Sequence, residues 1–437
     1  MIKIPKVLLP NEKVNKSKWA TVACDQYTSE LEYWKLVEQE VENFPSTYHL
    51  MLPEIYLEEK DVDERIEKIN KTMEEYIKEG ILVKQEPSII IVERSFLNAP
   101  TRTGMMIALD LEEYDFHKDS TSLIRATEGT VEERIPPRMK IRENALVEMP
   151  HIMVLIDDPN RTVIEPVKEY AVNNIKPIYD FELMKEGGHI KGYEVTESTV
   201  IEKMKSALFN LAEKEYFKNK YNVDEDVAPL LFAVGDGNHS LASAKCHWDT
   251  IKQNLSQEEQ LNHPARYALC EIVNIHDKGI VFEPIHRVLF NVNMDLFFDE
   301  LQGYFLENAS VVTYPKDYDE SKIEAQEGVH TLIYVTENEK GAIYIDERVH
   351  TLATGALQPF LDKFVEANED VKIDYIHGLN SLKQLGTKPG NIGFIMPNVN
   401  KNDFFTSIIK NGPMPRKTFS LGEANEKRYY LECRKIK

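Results

Sequence analysis

The chain has 437 residues, 42% apolar and 29% charged, with 52 lysines and arginines against 73 aspartates and glutamates and a net charge of −21. At roughly 150 residues per domain this is about three domain-equivalents, and the acidic balance excludes general binding to nucleic acid or anionic membrane while leaving room for a local basic site. No apolar run is long enough to span a bilayer, MIKIPKVLLPNEK lacks the apolar core and cleavage site of a secretory signal, and Cys24, Cys246, Cys270 and Cys433 show no C-x-x-C spacing, so the expectation is a soluble, reduced, cytoplasmic protein without a disulfide framework or zinc ribbon.

In chain order, a helix is expected from near Ser29, with Leu31, Trp34, Val37 and Val41 as its apolar stripe and Pro45 beyond its end. A highly charged helix over 60–79 carries Ile66, Ile69, Met73 and Ile77 on one face and stops at Gly80. The period then becomes that of strands: SIIIVE (88–93) and GMMIALDL (104–111), joined by the loop FLNAPTRT. Residues 112–137 read as irregular up to Pro136-Pro137, with a helix following to about Val147. HIMVLI (151–156) reads as a strand, 177–184 and 190–195 as a hairpin around Gly187-Gly188, and 197–220 as one long helix with Ile201, Met204, Leu208 and Leu211 inward. Strands are then expected at 229–234, 267–274, 309–313, 331–335, 341–345, 372–376 and 391–396, and helices at 240–253, 294–304, 356–367 and 401–410. This mixture predicts an α+β (mixed α/β) chain with mixed sheets in two or more subdomains. The boundary is placed between an N-terminal region, 1–225, holding an arginine-rich segment, and a C-terminal region, 226–437, opening with a glycine turn.

Two stretches carry most of the chemistry. LLFAVGDGNHSLASAK (230–245) runs from an apolar strand through Gly235-Asp236-Gly237-Asn238-His239-Ser240 into a small-residue helix pattern. A strand, a tight glycine turn and a helix start aim backbone N–H groups at an anion. Turn chemistry alone also accounts for Asp, Gly and Asn, but not for His239. IRATEGTVEERIPPRMKIRENA (124–145) gathers Arg125, Arg134, Arg138, Lys140 and Arg142, with Arg138 and Arg142 on one helix face. They would converge on phosphate or carboxylate groups, or be neutralised by Glu132, Glu133 and Glu143 on a solvated helix. FEPIHRVLF (282–290) sets His286 and Arg287 among apolar residues, and Gly412–Thr418 is a rigid loop bearing Arg416 and Lys417. The nucleophile elbow, Walker phosphate loop, H-E-x-x-H and G-x-G-x-x-G templates are absent from the sequence.

These residues resemble the bacterial and archaeal family known as Domain of Unknown Function 1015. In that family a strand ends in a D-G-H-H-R-like motif; here it is Asp236-Gly237-Asn238-His239-Ser240, with Asn and Ser replacing the first His and the Arg. Thr127-Glu128-Gly129-Thr130 fits the family's H-E-x-T motif with Thr for His, and Pro284-Ile285-His286-Arg287 fits its P-x-H-R segment. Asp374–His377 and Met414–Thr418 match two C-terminal segments, so the likeness spans about residues 20–435. The strand–turn–helix unit is in turn similar to the signature of the ParB/sulfiredoxin superfamily. Its members bind nucleotide phosphates at this turn, and include sulfiredoxin, CTP-binding ParB proteins and free-serine kinases.

The resemblance implies a nucleotide-dependent, free-serine-kinase-like phosphotransferase acting on a small hydroxyl metabolite, with ATP or another nucleotide and Mg²⁺ as cofactors. It implies Glu128, Asp236 and His239 as catalytic residues, Glu128 as the base toward the acceptor hydroxyl and Asp236 also holding the metal. Gly235, Gly237, Asn238, Ser240, Arg134, Arg138, Arg142, His286, Arg287 and Lys417 would bind the nucleotide. A non-catalytic nucleotide or metabolite sensor using the same turn is the alternative. The expected partner is a small molecule or nucleotide, with no nucleic acid and no membrane, and a homo-oligomer stays open.

Overall fold

Four consecutive branched residues, Ile89 to Val92, begin a central strand in a computed structural model that describes residues 1–96, 99–130 and 132–437. Ile89 and Ile91 enter one core with Met105 and Ile107, whereas Ile90 and Val92 enter another with Met106, Ile190 and Leu269. Both faces of this strand are therefore covered, which is why it reads as a continuous apolar run rather than an alternating one.

Among the described residues, the sheet built around it has ten strands. In chain order these are β1 (Ile2–Lys3), β2 (Ile89–Phe96), β3 (Ala99–Asp110), β4 (Tyr114–Asp115), β5 (Ile124–Ala126), β6 (Met153–Ile156), β7 (Tyr179–Glu182), β8 (His189–Val195), β9 (Phe232–Asp236) and β10 (Tyr267–Asn274). The spatial order is β7-β8-β2-β3-β10-β6-β9-β5-β4, with β1 against β3. Pairing is mixed: β9 runs parallel to β5 and antiparallel to β6, and β10 runs parallel to β6. Helices α1 (Leu31–Val41), α2 (Val62–Lys78), α3 (Ile135–Glu143), α4 (Ile164–Asn174), α5 (Ser198–Asn210) and α6 (Asn238–Lys252) accompany it. One core takes Ile164 and Val167 from α4, Met204 and Leu208 from α5 and Leu241 and Trp248 from α6. The other takes Ile66, Ile69 and Met73 from α2, together with Tyr430, Leu431 and Cys433 from the end of the chain.

Those last residues explain the division of the chain. One compact unit comprises Met1–Val281 with Gly422–Lys437, and a second comprises Phe282–Leu421. The division expected at 225/226 instead falls inside the first unit, because residues 226–281 supply β9 and β10 to the interior of its sheet. The second unit has its own antiparallel sheet of β11 (Phe282–Phe290), β12 (Ala309–Pro315), β13 (Val329–Thr336), β14 (Glu339–Asp346), β15 (Lys372–His377), β16 (Ile392–Ile395) and β17 (Phe419–Leu421). Its order is β12-β14-β13-β16-β11-β15, with β17 on β11. Phe297 and Leu301 of α7 (Met294–Phe305) and Phe360 and Phe364 of α8 (Ala353–Ala367) fill its core.

The chain is thus mixed α/β in two units, as its alternating pattern predicts. Two local expectations change. The long helix over 197–220 is two helices, Ser198–Asn210 and Lys214–Tyr221, because Glu213 turns its carboxylate to the Tyr216 N–H at 2.9 Å and caps a new start. The stretch 112–137 contains two short strands, β4 and β5, at the sheet edge. Leu97 and Asn98 of the loop FLNAPTRT, and Val131 of the 112–137 stretch, lie outside the described residues. Among the described residues no helix is long and apolar enough to cross a membrane.

Candidate functional site

Phe232, Ala233 and Val234 are fully buried, so β9 is anchored in the core right up to the turn. Its pairing with β6 slips between Val234 and Asp236, leaving Gly235 as the extra residue of a bulge. Bulges of this kind bend a strand and re-aim the side chain that follows, here Asp236. Gly237 then adopts φ +81°, and a Cβ there would lie 3.0 and 3.1 Å from Cγ1 and Cα of Ile152. Both the backbone and the space demand glycine. Helix α6 starts at Asn238, and no side chain caps it. Its first N–H groups, at the positive end of a four-turn helix, are oriented to meet an anion.

Asn238 is turned sideways. Its Oδ1 accepts from the Thr127 N–H at 3.3 Å, and its Nδ2 lies 3.4 Å from the Val234 carbonyl. Thr127 donates its own hydroxyl to the same carbonyl at 2.6 Å. These contacts extend the parallel register of Ile124, Arg125 and Ala126 against Phe232, Ala233 and Val234. Helix α3 packs on α6. The two stretches singled out in the sequence, 124–145 and 235–245, therefore meet.

A charged cluster sits at this junction. Lys427, from the last segment of the chain, places Nζ 3.2 Å from Asp236 Oδ2. Burial disfavours its ammonium, but the carboxylates of Asp236, Asp25 and Glu128 outweigh that and raise its pKa. Asp236 Oδ1 also accepts the Gly237 N–H at 2.9 Å. Asp25 is buried against its ionised form, yet His151, the Gln26 amide and Lys427 together hold its carboxyl below the usual range. His151, only 7% exposed, has Nε2 3.1 Å from Ser240 Oγ and 3.8 Å from Asp25 Oδ2. Its Nδ1 is buried without a hydrogen-bond partner. The Tyr429 ring meets the His151 ring edge-on, and the Tyr429 hydroxyl donates to Cys24 Sγ at 2.9 Å. Burial pushes the Cys24 thiol up, so it is no ready nucleophile.

The arginines have carboxylate and carbonyl partners of their own. Arg125 donates to the carbonyls of Ser122, Ala228 and Pro229 and braces β5. Arg138 binds the Arg134 carbonyl at 2.7 Å and pairs with Glu54. Arg142 pairs with Glu148, which also accepts from Arg434 Nε at 2.7 Å and the Leu269 N–H at 2.8 Å. The neutralising acids are thus Glu54 and Glu148 from other segments, not Glu132, Glu133 or Glu143. Arg134 is exposed at the start of α3. His239 uses its carbonyl to accept from Ser243 Oγ at 2.7 Å. Beside Ser240 and His151 opens a cavity of about 140 Å³ whose lining includes Arg138, Arg142 and Glu148.

His286, Arg287 and Lys417 belong to the second unit. His286 is buried, accepts the Met396 N–H on Nδ1 at 3.1 Å, and has its pKa pushed down to about 4 by burial, Arg287 and His377. Arg287 donates to Gln358 at 3.0 Å and lies over the Tyr375 ring. Both are built into that unit's packing. Lys417 is exposed, with φ +60°.

Sequence reasoning missed Asp25, His151 and Lys427. His151 opens a strand pattern, Lys427 sits in the charged run EANEKR, and Asp25 follows a cysteine; nothing local marks any of them. Among the described residues no group of three or more His, Cys, Asp and Glu is placed to hold a metal ion. Asp236 offers one hard oxygen donor, which suits a Mg²⁺ held chiefly by phosphates and water rather than by a protein cage.

Fold and site define a two-unit mixed α/β protein with an open glycine-turn helix start and a lysine–carboxylate cluster beside it. The chain belongs to the family described as protein of unknown function (DUF1015), whose model matches residues 6–364. No curated protein matches it. Among solved structures it is similar to a glutamate-to-alanine variant of free serine kinase in complex with ADP, at 10% identity and TM-score 0.39, covering 76% of this chain and 92% of that one. It is also similar to SbnI with a C-terminal truncation from Staphylococcus aureus, at 9% identity and TM-score 0.35, covering 72% and 82%. A conserved hypothetical protein from Pyrococcus furiosus, at 10% identity and TM-score 0.35, covers 72% and 89%.

Proposed function

We propose that the protein is a nucleotide-dependent phosphotransferase that receives polyphosphate at the start of α6 and phosphorylates a small hydroxyl metabolite. The supporting observation is the uncapped helix start at Gly237 with Lys427 Nζ and Asp236 Oδ2 together beside it. Backbone N–H groups and one ammonium are the elements that neutralise a transferring phosphoryl group. Glu128 stands in the segment that Asn238 clamps to this turn, and it acts on Lys427 electrostatically; it takes the role of base toward the acceptor hydroxyl. Asp236 is the residue that would share a Mg²⁺ with the phosphates, the metal supplying charge neutralisation there. Arg138 and Arg142, being paired already, support the site rather than bind phosphate.

Three carboxylates act on the one lysine of this cluster, so a polyphosphate arriving alone is repelled as well as attracted. Binding is therefore expected to require Mg²⁺. Calorimetric titration with ATP, ADP, CTP, GTP and pyrophosphate, each with and without Mg²⁺, tests this. Lys427→Met and Asp236→Asn are expected to lose the binding. Glu128→Gln is expected to keep binding and lose turnover of an acceptor panel led by serine. No binding of any polyphosphate by the wild type, or unchanged turnover in Glu128→Gln, overturns the proposal. Binding with no turnover of any acceptor leaves the sensor reading in its place.

A further inference from the structure

The cavity beside Ser240 is distinct in character from the helix start it adjoins. Its volume is about 140 Å³, and Leu50, Leu52, Met73, Ile141 and Leu269 give it mainly apolar walls. The enclosed part of a cavity of this size takes a group of about six to ten non-hydrogen atoms. Of its charged lining, Arg138 is already paired with Glu54, whereas Arg142 shares the single carboxylate of Glu148 with Arg434, so that two guanidinium groups face one carboxylate. Glu148 already accepts three hydrogen bonds, from Arg142, Arg434 and the Leu269 N–H. Two lining residues carry buried polar atoms without a partner: Arg142 Nε and His151 Nδ1. Buried polar groups in folded proteins are nearly always satisfied, and a guanidinium N–H can only donate.

We infer that this cavity is a binding site for a small monocarboxylate with an apolar body, its carboxylate accepting from Arg142 Nε and lying toward His151, with its carbon body against the apolar walls. A carboxylate matches the excess of guanidinium charge and the fork geometry of arginine, and the apolar walls take the carbon body. Because Ser240 lines the cavity and lies in the first turn of α6, the occupant sits next to the phosphate site. For such an occupant to be the phosphoryl acceptor its body must also carry a hydroxyl, and that role rests on the function proposed above; binding of the carboxylate does not.

The full chain, without nucleotide, would be titrated with isovalerate and benzoate, with 3-methylbutanamide as the uncharged counterpart of isovalerate, and with adenosine. The acids are expected to bind, and the amide at least tenfold more weakly. Ala145→Leu and Leu269→Phe, which fill the cavity with apolar atoms, are expected to abolish acid binding. Both should keep the wild-type response to Mg²⁺-pyrophosphate, which reports that the fold and the neighbouring site are intact. Equal binding of acid and amide, binding of adenosine in place of the acids, or acid binding that survives both filling variants overturns the inference. Failure of pyrophosphate to bind while the acids do bind counts against the phosphotransferase reading alone.

Discussion

Gly237 is the residue on which the turn depends, since its φ of +81° strains any side chain and a Cβ would press on Ile152 at 3.0 Å. Gly237→Ala is expected to cost about 1–2 kcal/mol from the left-handed backbone alone, with more from the contact, and to weaken pyrophosphate binding; urea unfolding and calorimetry measure the two effects separately. Glu432 makes a second residue-scale prediction. It is 1% exposed and accepts the Tyr179 hydroxyl at 2.7 Å, and burial pushes its carboxyl up to about 7. The folded chain thus holds the proton more tightly than the unfolded one. The associated stability is complete below the ordinary carboxyl pKa of about 4.5 and is lost as pH rises through about 7, a change of about 3 kcal/mol. Glu432→Gln should remove that decline between pH 5 and 7 in urea unfolding series; a wild-type slope retained by the variant would exclude Glu432 as its source. The glycine turn was legible in the sequence because each of its residues is unusual where it stands. Lys427 and Asp25 were not, because each acquires its meaning only from a partner far along the chain.

At the scale of elements, the strands and helices were legible where burial imposes a period. The helix at 62–78 and the strands at 267–274 and 339–346 follow from spacing alone. Strand β5 did not, because three residues, one of them arginine, leave too short a pattern; its place is set by parallel pairing with β9 and by Arg125 reaching three carbonyls. The arginine-rich helix was legible as a helix with two arginines on one face, but not the source of its counter-charges. Glu148 joins α3, β10 and the C-terminal segment through Arg142, the Leu269 N–H and Arg434. Removing one member of a buried ion network strands the others. Glu148→Gln is therefore expected to destabilise the protein by about 3 kcal/mol or more in urea unfolding, and an effect below 1 kcal/mol would mean that water replaces the carboxylate.

At the scale of the molecule, the alternation of helix and strand patterns predicted the mixed class but not the division into units. A unit built from two separated pieces of chain leaves no linker to see, and the expected boundary at 225/226 was drawn at the glycine turn instead. Residues 282–421 have their own sheet and their own aromatic core. Expressed alone, that segment is expected to unfold cooperatively with a strand-rich circular dichroism spectrum. Residues 1–281 alone are expected not to, since Tyr430, Leu431, Cys433 and Ile436 are missing from one of their cores. The net charge of −21 also predicts no salt-sensitive retention of DNA in a filter assay.

The return of residues 422–437 to the first unit sets an order of events during synthesis. A ribosome adds about 5–20 residues per second, so the whole second unit emerges before the lysine that completes the charged cluster. A nascent chain stopped beyond the glycine turn but short of residue 427 carries Asp236 and Glu128 without the Lys427 ammonium that balances them. The charged cluster is thus completed only after residues 282–421, the whole of the second unit, have been made.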